Sequence, residues 1–214
     1  MKSLVGLLFI TICFFYPMSD EWTLVKDRSE IRVYVRKLKT DGIKEVKIVG
    51  KIKCSLSEFV SSLEDVKSHT KWVSRTIDSR ILEMENPKEI IYYLSTDMPF
   101  PIQDRDIVIL YKRHQDPSTG IVYTESTCKA EFIPLIKNFI RIPDFYSTYT
   151  ISPLEDGFLN IEYFMKIDPG GLLPVWLINL AVTTGPIETM ESLFDLIHSG
   201  AYSFSQIEGI TEMK

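Results

Sequence analysis

Cysteine and histidine are scarce in this sequence, three of each, and neither is arranged for chemistry. Cys13, Cys54 and Cys128 have no metal-type spacing, and no two of His69, His114 and His198 stand four apart on a helix. No metal and no cofactor is therefore expected, and each histidine reads as a surface or helix-end residue. The Gly-x-Ser-x-Gly elbow, the phosphate-binding Walker loop and the dinucleotide fingerprint are missing too, and no nucleophile is paired with a base, so an enzyme is not the first expectation. Basic blocks are absent: 24 Lys and Arg against 29 Asp and Glu leave a formal net charge of -5. Phosphate binding needs a positive footprint, which excludes nucleic acid as a partner and makes any membrane contact brief and apolar. There is no Gly/Ser/Pro-rich linker and no internal repeat, so the chain reads as one domain, expected to be monomeric.

What is present begins with an apolar run. Lys2 precedes Leu4 to Phe15, and Pro17-Met18-Ser19-Asp20 follows, the pattern of an export signal over residues 1–19, with the domain from residue 20 to 214. The run is too short for a confident membrane span. The alternative is an uncleaved first helix on a cytoplasmic protein, although a run apolar on all sides fits a helix face badly. Cys54 and Cys128 would remain after cleavage, and two free buried thiols are favoured over a disulfide.

From Ile31 to Arg36 apolar and basic residues alternate at period two, and Lys44 to Lys53 follows across an Asp41-Gly42 turn, which together predict a hairpin. Ser55-Leu56-Ser57-Glu58 is a capping-box sequence, and Leu56, Phe59, Val60 and Leu63 then recur at helical spacing. His69 to Val73 predicts a short second helix with Trp72 as its core anchor. Strands are expected over Ser79–Met84, Glu89–Ser95, Asp106–Arg113, Ile121–Lys129, Asp144–Ser152 and Phe158–Ile167, joined by turn-rich segments. The fold class is thus α+β, with an antiparallel sheet of about eight or nine strands, large enough to curl around its contents.

The period changes again near the end. Leu172 to Val182 is apolar almost all round, and after Gly185-Pro186 an apolar stripe runs through Ile187, Met190, Leu193, Phe194 and Ile197. This is a helical lid over Leu172–Ser199, with a break at Gly185-Pro186 separating two parts. Two loop tips carry hydrophobes, Met98-Pro99-Phe100-Pro101-Ile102 and Gly170-Gly171-Leu172-Leu173-Pro174, and Asp104, Arg105 and Asp106 cluster beside the first, where an ion pair would fix the loop.

Two stretches carry a family resemblance. Met98-Pro99-Phe100-Pro101-Ile102-Gln103-Asp104-Arg105-Asp106-Ile107-Val108 resembles the Pro-Phe-Pro-x-x-x-Arg-Asp-x-Val segment of the START (StAR-related lipid-transfer) family. Asp168-Pro169-Gly170-Gly171-Leu172-Leu173-Pro174-Val175-Trp176-Leu177-Ile178-Asn179 is similar to that family's Asp-Pro-Gly-Gly-x-x-Pro-x-Trp-x-x-Asn segment. The resemblance implies a helix-grip fold, a tunnel holding one sterol, phospholipid or acyl/isoprenoid lipid, and a role in lipid transfer or sensing. It places Phe100, Leu172 and Leu173 on the bilayer during exchange and makes Arg105 and Asp106 a structural pair. Trp72, Val73, Leu94, Trp176, Leu180, Ile187, Met190 and Phe194 are the expected cavity and lid residues. Val73 and Leu94 stand where ceramide-binding members carry an acid and an amide, so ceramide fits the tunnel poorly. The competing reading is a helix-grip enzyme of cyclase or hydrolase type, which would draw on Tyr92, Tyr93, Glu162, Tyr163 or Asp104.

Overall fold

The computed structural model describes residues 21–28, 30–37 and 43–212. The apolar N-terminal run and the Asp41-Gly42 turn lie outside the described residues. Among the described residues ten strands form a single curved sheet, nine of them in the order β1-β2-β3-β10-β9-β7-β6-β5-β4, antiparallel throughout this path. The strands are β1 (Thr23–Arg28), β2 (Ile31–Lys37), β3 (Lys44–Lys53), β4 (Thr76–Asn86), β5 (Glu89–Thr96), β6 (Asp104–Gln115), β7 (Val122–Cys128), β8 (Phe139–Arg141), β9 (Asp144–Pro153) and β10 (Phe158–Asp168). Only β8 departs from the path, lying parallel to β6. The helices are α1 (Leu56–Glu64), α2 (His69–Trp72) and α3 (Val175–His198).

Alternation decides which side of each strand faces in. On β2, Ile31, Val33 and Val35 are buried while Arg32 is exposed, and β3 buries Val46, Ile48 and Ile52 on the same face. The capping box closes α1: the Ser55 hydroxyl accepts from the Glu58 N–H at 3.1 Å, and the Glu58 carboxylate accepts from the Ser55 N–H at 2.7 Å. The Glu212 carboxylate, from the chain's far end, accepts from the N–H groups of Leu56 (3.1 Å) and Ser57 (2.8 Å), which satisfies two more free donors of that helix end.

Helix α3 is one continuous element of 24 residues, about 36 Å long, with Pro186 inside it, so the expected break at Gly185-Pro186 is not a helix end. Its second half packs on the sheet through Met190, Leu193, Phe194 and Ile197, all buried. Each such side chain contributes roughly 1.5–3 kcal/mol relative to exposure. Gly50 on β3 makes the close approach possible: a Cβ there would stand 2.8 Å from the Phe194 ring.

Candidate functional site

Between the sheet and the first half of α3 lies a cavity of about 280 Å³. Its floor is the inward face of β5, β6, β9 and β10, where Tyr92, Ile107, Ile109, Phe145, Tyr163, Met165 and Ile167 alternate with outward residues. Its roof is Leu177, Ile178, Ala181, Val182, Gly185, Pro186 and Thr189 of α3, and Trp72 and Val73 close one wall. Residues of both apolar clusters of the core meet there, so the cavity is a gap within the core. The only formally charged side chain among its lining residues is Arg105.

The predicted cavity residues divide. Trp72, Val73 and Leu94 line the cavity. Ile187, Met190 and Phe194 are buried in the core beyond it, against the sheet. Trp176 and Leu180 correct the expectation: they are 69% and 54% exposed, on the outer side of α3, while their neighbours Leu177, Ile178, Ala181 and Val182 face in. The reason is that a helix apolar on every side carries no stripe to orient it.

Of the mouth residues, Phe100 is 96% exposed between Pro99 and Pro101, and Leu172 is fully exposed. Leu173, one residue on, turns inward and lines the cavity. The Arg105–Asp106 pair does not form. Adjacent strand residues point to opposite faces, and each finds another partner. The Arg105 guanidinium donates to the carbonyls of Gln103, Pro169 (3.4 Å) and Gly170 (3.3 Å), tying the two motif loops together at the mouth. Gly170 and Gly171 have φ of +66° and +73°, a conformation that glycine takes without strain. Asp106 instead receives Arg141 of β8 through two bonds of 2.9 Å each, with both side chains buried. Arg141 also donates to the carbonyls of Ala130 (2.6 Å), Ile133 (3.2 Å) and Pro134 (3.3 Å), fastening the segment before β8. Sequence reasoning missed Arg141, since nothing local marks a partner 35 residues away.

Apart from Arg105 at the mouth, the polar side chains lining the cavity are neutral. His69, read from sequence as a surface or helix-end residue, is a buried one at the start of α2; His114 and His198 are exposed. The Leu63 carbonyl can only accept, so His69 Nε2 carries the proton of their 2.9 Å bond and Nδ1 is left as an unpartnered acceptor. Burial pushes the His69 pKa down to about 4, against opposing effects of that bond and of Asp65. The phenols of Tyr92, Tyr149 and Tyr163 also line the cavity, and their pKa values are raised, first by burial. Tyr149 is raised further by Tyr163 and Tyr92, and Tyr92 by Tyr163.

The residues weighed for acid–base chemistry are scattered. Tyr93 lies on the opposite face of β5 beneath the Arg80 guanidinium (4.0 Å), Glu162 is exposed, and the Asp104 carboxylate accepts from the Met98 N–H at 2.9 Å. Tyr92 and Tyr163 do face in, but a phenol with a raised pKa keeps its proton and is no base at neutral pH. Cys54 and Cys128 are free thiols; burial, with Glu58 and Glu212, pushes Cys54 up to about 12. Among the described residues no group of side chains is placed to hold a metal ion, and no helix is long and apolar enough to cross a membrane.

A curved antiparallel sheet gripping a C-terminal helix over an apolar cavity defines a helix-grip protein. Residues 17–198 match the START domain family, and the chain belongs to it. It is 28% identical over 176 residues to an uncharacterized protein of Pseudomonas aeruginosa, covering 82% of this chain and 86% of that protein. To the phosphatidylcholine transfer protein of Mus musculus it is 26% identical over 171 residues, covering 77% and 78%. The crystal structure of a STAR-related lipid transfer protein from Xanthomonas axonopodis superposes with a TM-score of 0.77 at 28% identity, covering 83% of this chain and 98% of that one.

Proposed function

We propose that this protein carries one hydrophobic lipid, a sterol, phospholipid or acyl/isoprenoid lipid, and exchanges it with membranes at the Phe100–Leu172 end. The carrying observation is the cavity: about 280 Å³ inside the core, roofed by a helix and lined by side chains of which one bears a charge. That volume is at the lower edge of the roughly 300–1,000 Å³ usual for ligand sites, so loading a larger lipid requires α3 to lift. Removing apolar ligand surface from water contributes about 25 cal/mol per Å², which makes a hydrocarbon body the natural occupant.

The exposed tips support the exchange step. Phe100 and Leu172 project at the mouth, and Trp176 and Leu180 extend an apolar strip along the outside of the same helix that roofs the cavity. A bilayer touching this strip would shelter it and bear on the lid at once. The reading is of an exported protein, on the ground of the apolar N-terminal segment, that works as a monomer. The test is vesicle-to-vesicle transfer of a fluorescent lipid. Phe100→Asp with Leu172→Asp, both on exposed loops, is expected to slow transfer roughly tenfold or more with unchanged melting. Equal rates would remove the membrane role of these tips, and a purified chain that takes up no lipid would remove the carrier reading.

A further inference from the structure

The segment between β7 and β8, residues 129–138, holds an apolar run that neither the cavity nor the two motif loops account for: Phe132-Ile133-Pro134-Leu135-Ile136. Ile133 and Ile136 are half-buried, while Leu135 is 77% and Phe132 42% exposed. A single exposed leucine is ordinary. This pair is held out by a clamp, because the Arg141 guanidinium, paired with Asp106, takes the carbonyls of Ala130, Ile133 and Pro134. The Phe132 N–H donates to the Lys129 carbonyl (3.0 Å) and the Phe139 N–H to the Ile136 carbonyl (3.3 Å). Asn138 beside them has φ +72°, a conformation that asparagine tolerates. A looser turn would fold its large side chains onto the protein surface; this one keeps them in water.

Register places the turn. Strand β8 runs parallel to the start of β6 with Phe139 opposite Asp104. Leu135 precedes Phe139 by as many residues as Phe100 precedes Asp104, so both leave the sheet at its mouth end. Ile140 of β8 abuts the other motif loop: a Cβ on Gly171 would stand 3.1 Å from its Cδ1, and Leu172 follows directly. Arg105 lines the cavity, so its neighbour Asp106, and Arg141 paired with it, lie on the outer face of the sheet. The clamped turn is therefore on that face, off the line that joins Phe100 to Leu172. Two tips allow the molecule to rock about that line, and a third point off it fixes the tilt. Lys129 and Lys137 flank the apolar run, exposed and without an ion pair among the described residues. Lysine stems lie along apolar surface and place their ammonium groups among anionic headgroups.

Resting on the exchange reading, we propose that the turn carrying Phe132 and Leu135 is a further docking surface for a lipid bilayer, and that it sets the angle at which the mouth meets the membrane. Two side chains offer far less than the roughly 800 Å² per partner of a stable protein interface, which favours a bilayer that the other tips already share. The experiment places an environment-sensitive thiol dye on full chains carrying Leu135→Cys, Phe100→Cys or Tyr123→Cys, with the parent, which has only Cys54 and Cys128 among its described residues, as background. Tyr123 is exposed on β7 opposite His114, at the far end of the sheet. With vesicles of phosphatidylcholine and phosphatidylglycerol, the dye at residues 135 and 100 is expected to shift to the blue, and the dye at 123 is not. Leu135→Asp is expected to slow vesicle-to-vesicle lipid transfer about tenfold with unchanged melting.

A shift at residue 100 without one at 135 would overturn the added contact and leave the exchange reading intact. So would transfer by Leu135→Asp at the parent's rate, or a shift at 123 as large as that at 135. No shift at either 100 or 135 would overturn both.

Discussion

Asp106 and Arg141 show what a buried charge is for in this protein. The pair is bidentate, both side chains are buried, and the arginine spends its remaining donors on three carbonyls of the segment before β8. Its hydrogen bonds to Asp106 raise the arginine's pKa, so the guanidinium keeps its charge. Such a pair is weak as a source of net stability, because desolvation offsets the attraction, but removing one partner strands the other. Asp106→Ala is therefore expected to destabilise the fold by about 3–5 kcal/mol in denaturant unfolding. The exposed pair of Arg75 and Asp97 should give well under about 1 kcal/mol in the same assay. A cost for Asp106→Ala as small as the exposed pair's would show that Arg141 is held by its carbonyls alone.

At the scale of elements, legibility followed strand length and the turns between strands. The six strands from β4 to β10 other than β8 were readable because each runs seven or more residues between turn-rich segments; β7 alternates cleanly, burying Val122, Thr124 and Ser126 between exposed residues, whereas β6 is buried without a break from Arg105 to Tyr111. Strand β1 was missed because Leu24 and Val25 are both exposed, which erases the alternation, and β8 because three residues carry no period. Helix α3 was readable as a helix; the stripe from Ile187 to Ile197 also gave the facing of its rear half, while the all-round apolar front half gave none. In its middle, Thr183 and Thr184 return their hydroxyls to the carbonyls of Asn179 (2.7 Å) and Leu180 (3.0 Å), and Pro186 offers no N–H to the carbonyl of Val182. Threonine back-bonding and proline both bend helices, and Gly185 between them adds backbone freedom. The exposed front half can thus swing from the packed rear half. A Cβ at Gly185 would meet nothing within 4 Å, so Gly185→Ala is expected to raise stability by about 0.5–1 kcal/mol. The same change should slow vesicle transfer of lipid. Faster transfer in the more stable variant would show that α3 does not bend there.

The whole molecule is closed by contacts that no local pattern announces. Glu212 caps α1 from about 155 residues away, and Arg113 joins Glu64 (2.6 Å) to the carbonyl of Glu208 (3.1 Å), so the C-terminal tail straps the closed end of the sheet. The cavity sits between that strap and the mouth, and His69 lies in its wall. Its histidine titrates at about 4 instead of 6.5 because burial opposes the charge. Between these values the unfolded chain holds a proton that the folded chain refuses, so stability must fall as pH falls from 6.5 to 4, by up to about 3 kcal/mol. Below pH 4 both states are protonated and this contribution stops changing. Glu64 works the other way, since burial raises its pKa and the folded state takes up its proton first as pH falls toward 4.5. Urea unfolding of the chain across this range should show the net loss, and His69→Gln, which can keep the bond to the Leu63 carbonyl without titrating, should flatten it. A variant as acid-sensitive as the parent would place the acid lability elsewhere than in the cavity wall.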